Sequence, residues 1–356
     1  MRQGCLLITG GAGFIGSNFA HYWHRQYADT PLIILDALTY AGNRANLAGI
    51  LGHPNIELIK GNICDRALVD RLLTEYRIDT LVHFAAESHV DRSILGPEAF
   101  IQTNVVGTFT LLEAFRIHWQ TQGQPGHYRF LHISTDEVYG SLGPADLAFR
   151  ENTPYAPNSP YSASKAGSDH LARAYYQTYG LPTLITNCSN NYGPYHFPEK
   201  LIPLMCVNML LGQPLPVYGD GQNIRDWLFV EDHCRALDTV LHHALPGQPY
   251  NIGGEAEIKN IDLINMLCEL MNELAPDLPI RPTQALITYV RDRPGHDRRY
   301  AMDISKIKAD LGWQPSVSLS AGLRKTVTWY LNNRDWWLPL LPADYQNYYQ
   351  QRYTGR

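Results

Sequence analysis

An α/β fold is predicted, a doubly wound parallel sheet followed by a smaller lobe, and three observations carry that reading. Short apolar runs alternate with helical patterns from Cys5 to Thr186, a glycine-rich turn joins the first run to its helix, and the alternation stops near Asn190. The first run is Cys5–Thr9, and Gly10 to Gly16 lead from it into a helical stretch through Trp23 and Arg25. Leu32–Leu35 reads as a second buried strand and ends on Asp36. Ile56–Lys60, Thr80–Phe84, Phe130–Ser134 and Thr183–Thr186 continue the series, separated by helices expected at Arg66–Tyr76, Pro97–Trp119 and Tyr161–Tyr179. Pro97 suits a first helical turn, where its missing N–H would have had no partner. Beyond Asn190 come Pro194, Pro198, Pro203, Pro214 and Pro216, which marks the start of a second lobe. The division expected is 1–189 and 190–356, with Leu228–Val230 and Tyr250–Ile252, near 226–255, returning as strands to the first sheet. The aromatic, amphipathic end, Trp329–Tyr353, reads as packing surface.

Composition narrows the function classes. With 356 residues, 45% of them hydrophobic and 18% charged, the chain can build a full core. A net charge of -5 offers no basic footprint, so neither nucleic acid nor an anionic membrane is the expected partner. Six cysteines lack any CxxC spacing, which points to reduced thiols in a cytoplasm and to no metal site. The first residues run straight into a strand, too short a stretch for a leader peptide or a membrane span.

Between a strand and a helix, Gly10-Gly11-Ala12-Gly13-Phe14-Ile15-Gly16 lets the backbone approach a pyrophosphate at a helix N-terminus. Asp36 stands twenty residues beyond Gly16, the spacing of an acid that accepts hydrogen bonds from a ribose. That acid would repel a 2′-phosphate, so a Rossmann-type site for NAD, and not NADP, is expected. Arg44 reads as surface.

Thr135, Asp136 and Glu137 follow the Phe130–Ser134 strand, at the sheet edge where open α/β folds place their ligands. Neighbours on a regular strand face opposite ways, so both acids share a site only if the chain leaves the pleat there, and Tyr139-Gly140-Ser141 allows a bend. Taken alone, an acid pair is ordinary solvated surface. Tyr161 and Lys165 are four apart on one helix face, where the ammonium favours a phenolate able to take an alcohol proton. The same spacing also occurs on plain helix surfaces. Glu87 to Arg92 reads as a hydrogen-bonded loop, not a metal site.

The glycine loop, Asp36, Tyr161 and Lys165 resemble the extended short-chain dehydrogenase/reductase family. Ala85 to Ser93, Ser134 to Glu137, Asn190 to Lys200 and Asp292 to Tyr300 are similar, within it, to the dTDP-glucose 4,6-dehydratases, over essentially the whole chain. The resemblance implies oxidation of a hexose at C4 by NAD, loss of water across C5 and C6, and hydride return to C6. It makes Thr135 a contact of the reacting alcohol, Glu137 the C5 base and Asp136 the acid that protonates the departing hydroxyl. To the cofactor it assigns Gly10, Gly13, Phe14, Ile15, Gly16, Asp36, Asn62, Ile63, Ala85, Ala86, Ser88, Thr103, Tyr161 and Lys165. To the nucleoside-diphosphate sugar it assigns Ser88, Thr135, Asn190, Glu199, Lys200, Arg225, Asn260, Arg293, His296 and Tyr353. It also implies a homodimer through Pro97–Trp119 and Tyr161–Tyr179, whose apolar Phe100, Val105, Phe109 and Leu112 could equally be core. Three features depart from the family: Asn62 for an aspartate, Ala37 for a lysine, and a short Gly140–Glu151 segment. A UDP- or CDP-sugar dehydratase, a 4-epimerase, or a non-catalytic NAD-binding protein are the other readings.

Overall fold

The computed structural model describes residues 4–292, 294–342 and Tyr345. Its strands are, in order, β1 Cys5–Thr9, β2 Leu32–Asp36, β3 Ile56–Lys60, β4 Ile78–His83, β5 Arg129–Thr135, β6 Thr183–Cys188, β7 Asn190–Tyr192, β8 Leu215–Tyr218, β9 Ile224–Phe229, β10 Pro249–Ile252, β11 Glu257–Lys259 and β12 Ile287–Val290. Seven of them form one parallel sheet in the order β10-β6-β5-β4-β1-β2-β3. The order reverses beside β1, which opens a crevice above the carboxyl ends of β1 and β4.

Both sheet faces are covered, which is why these strands read as unbroken apolar runs. Leu6, Ile8, Leu32, Ile34, Leu131 and Ile133 enter one core, and Cys5, Leu7, Ile33, Leu35 and Phe130 enter the other. The period of two is kept along β1, β2 and β5, while in β4 a register shift after Ile78 puts Ile78 and Leu81 into the same core. A third core, around Met205, Leu263, Val327 and Trp337, belongs to the smaller lobe. There β9 lies between β7 and β11, while β8 pairs with β12.

Three expectations need correction. The Leu228–Val230 run does not return to the first sheet: it ends β9, and Val230 opens the helix Val230–His243. What returns is that helix, through Asp238, which accepts hydrogen bonds from Tyr22 and Tyr27, together with β10 beside β6. The stretch from Pro97 to Trp119 is not one regular helix. Residues Ile101–Gly107 form a π turn, within which Asn104 accepts from the Glu87 N–H and donates to the Ser164 hydroxyl. Finally, Phe100 and Leu112 are buried in the chain's own core, whereas Ile101, Val106, Phe109 and Ile117 are exposed on the same stretch.

Candidate active site

The glycine turn has the geometry of a pyrophosphate cradle. Gly10 has φ +70°, and a Cβ there would lie 2.5 Å from the backbone nitrogen of Ala85; at Gly16 it would lie 2.3 Å from the Gly10 carbonyl. Gly13 begins the helix Phe14–Gln26 without a side-chain cap, so the N–H groups of its first turn face the crevice unclaimed by a capping side chain. Asp36 closes β2 at the crevice edge, 7% exposed, with one oxygen held by the Ala12 N–H at 2.9 Å and the other by Leu38 N–H at 2.8 Å. Burial raises its carboxyl and the two N–H groups pull it back. Each oxygen keeps a lone pair for a ribose hydroxyl.

Around the crevice the other cofactor candidates differ in what they can offer. Ala85 and Ala86 follow β4, and Thr103 is half-buried in the π turn. Phe14 stacks on His196 at 4.1 Å, and Ile15 is half-buried beside it. The Asn62 side-chain oxygen accepts from the Cys64 N–H, which leaves its amide N–H groups and one lone pair for adenine. Ile63 sends its side chain into the core, so only its backbone can face a ligand. Arg44 is exposed, as read.

At the end of β5 the chain leaves the pleat one step earlier than the glycine bend suggested. Thr135 caps a 3-10 turn, Asp136–Tyr139, which brings Thr135, Asp136 and Glu137 onto one lip. The Thr135 hydroxyl donates to Asp136 Oδ1 at 3.1 Å, and Asp136 Oδ2 is buried with no hydrogen-bond partner. Burial first, then the neighbouring Glu137, push the Asp136 carboxyl well above its ordinary range; Thr135 and Arg225 pull it back, and Asp226 adds the smallest push. Of the two acids, Asp136 is the one whose burial favours the protonated form.

Opposite stands the helix Pro160–Tyr179. Ser159 and Ser162 close a reciprocal capping box, and Pro160 occupies the first helical position. That fixed first turn presents Tyr161 beside the Thr135 hydroxyl. Burial, and after it Glu137, push the phenol well above its usual value, with Thr135 pulling the other way. Lys165, one turn on, donates to the Ile133 carbonyl at 2.7 Å and is 4% exposed. Burial lowers its ammonium and the Asp169 carboxylate raises it.

The smaller lobe supplies the other wall. Arg225 on β9 spans the carbonyls of Ile224 and Asp297 and lies over the Tyr300 ring at 4.3 Å. Asn190 begins β7 and Asn260 begins a helix, each with a buried side-chain oxygen that has no hydrogen-bond partner. His296 is held by Asp292 at 2.6 Å and meets Tyr218 edge-on. Glu199 is less open than expected: its side chain is 5% exposed, 3.5 Å from Arg92 and 3.8 Å from His89. Lys200 donates to the Ser88 carbonyl. Arg293 and Tyr353 lie outside the described residues.

Several groups at the site were not singled out from the sequence. Tyr300 donates to Asp297 and feels the charge of Glu137 first after its own burial. Asp226, next to Arg225, is held by the Gly254 and Ala256 N–H groups and is raised by burial to about 6. Tyr300 closes the Asp292–Tyr300 motif, which was the available signal for it. Asp226 and Asn104 carried none. Among the described residues, no group of three His, Cys, Asp or Glu side chains is placed to hold a metal ion, and no helix is long and apolar enough to cross a membrane.

Comparison with known proteins agrees with this geometry. The family model described as GDP-mannose 4,6 dehydratase matches residues 7–326. A dTDP-glucose 4,6-dehydratase of Neisseria meningitidis serogroup B is 56% identical over 96% of this chain and 97% of its own. The crystal structure of DesIV, a dTDP-glucose 4,6-dehydratase from Streptomyces venezuelae with NAD and TYD bound, superposes with a TM-score of 0.85 at 48% identity, covering 94% of this chain and 99% of that one. A UDP-glucose 4-epimerase from Thermotoga maritima, with UDP-glucose, has a TM-score of 0.81 at 27% identity, covering 92% of this chain and 99% of that one. The scaffold is thus shared between chemistries, and the identity separates them. With half its residues in common with the first of these relatives over nearly its full length, the chain belongs to the dTDP-glucose 4,6-dehydratase family of extended short-chain dehydrogenase/reductases.

Proposed function

We propose that the chain dehydrates dTDP-glucose to dTDP-4-keto-6-deoxyglucose, with Thr135, Asp136, Glu137, Tyr161 and Lys165 as its working groups. The observation that carries this reading is the unequal acid pair at the end of β5: Asp136, buried with an unpartnered oxygen and its carboxyl raised by burial, next to the half-buried Glu137. NAD, held by the glycine cradle and Asp36, supplies reversible hydride acceptance when bound. The Thr135 hydroxyl positions the C4 alcohol, and Tyr161 takes its proton, with Lys165 stabilising the phenolate. Once C4 is a ketone the C5 proton is acidic. Glu137 removes it, and Asp136 gives its proton to the C6 hydroxyl as water leaves. An epimerase needs only the Tyr161 step; a protonated acid beside a second carboxylate is what elimination requires.

Arg225 suits the diphosphate, since its planar fork can hold two oxygens, with Asn190, Asn260, His296, Lys200 and Ser88 as proposed partners of the sugar and nucleoside. A homodimer is proposed through the exposed stripe of Ile101, Val106, Phe109 and Ile117. A cytoplasmic setting is proposed on the six free thiols. The test is turnover of dTDP-glucose in deuterium oxide, read by mass and proton NMR. Loss of one water with deuterium at C5 supports the reading, and an unchanged mass with inversion at C4 replaces it with epimerisation.

A further inference from the structure

Directly behind the catalytic pair lies a buried polar cluster centred on Asp169. This residue is 2% exposed and sits one helical turn beyond Lys165, two beyond Tyr161, on the same face. Its Oδ2 takes three donors: Ser134 Oγ of β5 at 2.7 Å, the Tyr155 hydroxyl at 3.0 Å and Asn187 Nδ2 of β6 at 3.2 Å. Its other oxygen lies 3.1 Å from His132 Nε2. A further ring, His83, is packed behind His132 and bound by Thr9 and Thr108. Burial lowers both imidazoles and so disfavours a cation on either, although Asp169 pulls His132 the other way. Lys165, one helical turn before Asp169 and bonded to the Ile133 carbonyl next to Ser134, is the cation whose ammonium the carboxylate raises, with the Cys188 thiol, raised by burial to about 12, as a neighbour.

We infer that Asp169 is a positioning residue, the buried counter-charge that keeps Lys165 an ammonium and so lets Tyr161 act as the base. Among the described residues Lys165 donates to the Ile133 carbonyl, a neutral acceptor, and a buried ammonium without an anion loses its proton readily. The three donors fix the carboxylate at the depth of the sheet, away from the substrate. This inference rests on the proposed role of Tyr161.

The experiment compares the wild-type holoenzyme with Asp169→Asn across pH 6 to 9, following kcat, KM and the thermal midpoint. Without the anion, the Lys165 pKa falls further, and charge is lost as pH rises through it. The deficit in kcat should therefore be small at the acid end and grow toward the alkaline end, with KM little changed. Stability should show the opposite trend. A lysine pKa further depressed by folding makes the folded state bind fewer protons, so the destabilisation shrinks as pH rises. Asp169→Glu, which keeps the charge, should restore the wild-type profile. Should Asp169→Asn not fold, Asp169→Ser, which leaves room for a water among the three donors, is measured in its place. Parallel kcat profiles for variant and wild type, with equal loss at every pH, overturn the inference. An inactive wild-type enzyme would overturn the dehydratase reading, which separates the two failures.

Discussion

Two adjacent carboxyls with different environments give the site its direction. Asp136 is buried, its raised carboxyl opposed only by Thr135 and the more distant Arg225, whereas Glu137 is half-buried at the lip. Replacing Glu137 by Gln keeps the shape and removes the base. Single-turnover oxidation of the sugar, seen as near-ultraviolet absorbance of the reduced cofactor, should survive in large part, while product release of water falls by about 10²–10⁴-fold. Equal loss of both steps would remove Glu137 from the C5 proton. Asp136 also leaves a mark on stability. Its folded pKa is raised above the unfolded value of 3.8, so the folded chain binds the extra proton and stability falls as pH rises from that value. Asp226 adds the same sign over the window from 3.8 to about 6. Asp136→Asn should therefore raise the thermal midpoint at neutral pH and flatten its pH dependence, while abolishing dehydration; an unchanged profile would contradict the buried, protonated state.

Local elements hold these groups, and they differ in how far the sequence announces them. The central strands were readable because both faces of a doubly wound sheet are covered, which leaves unbroken apolar runs such as Cys5–Thr9 and Phe130–Ile133. The helix Pro160–Tyr179 was readable too, and its start is built from local chemistry: Ser159, Pro160 and Ser162 fix the turn that carries Tyr161. Ser159→Ala should cost about 1 kcal/mol in denaturant unfolding and lower kcat several-fold without altering its pH profile, since the cap holds the turn and no titrating group changes. A shifted pH profile would show that the cap does more than hold the turn. Other elements depend on distant partners. The π turn at Ile101–Gly107 answers to Asn104 reaching Glu87 and Ser164 across the crevice. The Leu228–Val230 run was assigned to the wrong sheet because three apolar residues say nothing about which strand they will pair with. Asp169 passed unnoticed because its meaning lies in Ser134, Tyr155 and Asn187, contributed by two strands and the loop before the helix.

At the scale of the molecule, Trp336, packed on the smaller lobe's core, donates to Asn46 of the larger and ties the two together. One broad feature is left uncovered by the described residues. Ile101, Val106, Phe109 and Ile117 are 49%, 37%, 46% and 39% exposed along a single helical stretch, and Tyr179, 45% exposed, ends the helix Pro160–Tyr179 packed beside it. Isolated exposed apolar residues need no explanation, but a row of them marks a covered surface. In a two-fold dimer such a stripe meets its own copy, so a charge placed on it is repeated across the axis and repels itself. Phe109→Asp combined with Ile117→Asp should therefore halve the mass found by light scattering while leaving the fold intact by circular dichroism. Because the same stretch carries Asn104 and abuts the helix of Tyr161, the monomer should also lose thermal stability and part of its kcat, with cofactor binding less affected. A wild-type protein that runs at the single-chain mass at micromolar concentration would dismiss the dimer, and would leave the stripe to be explained by another partner.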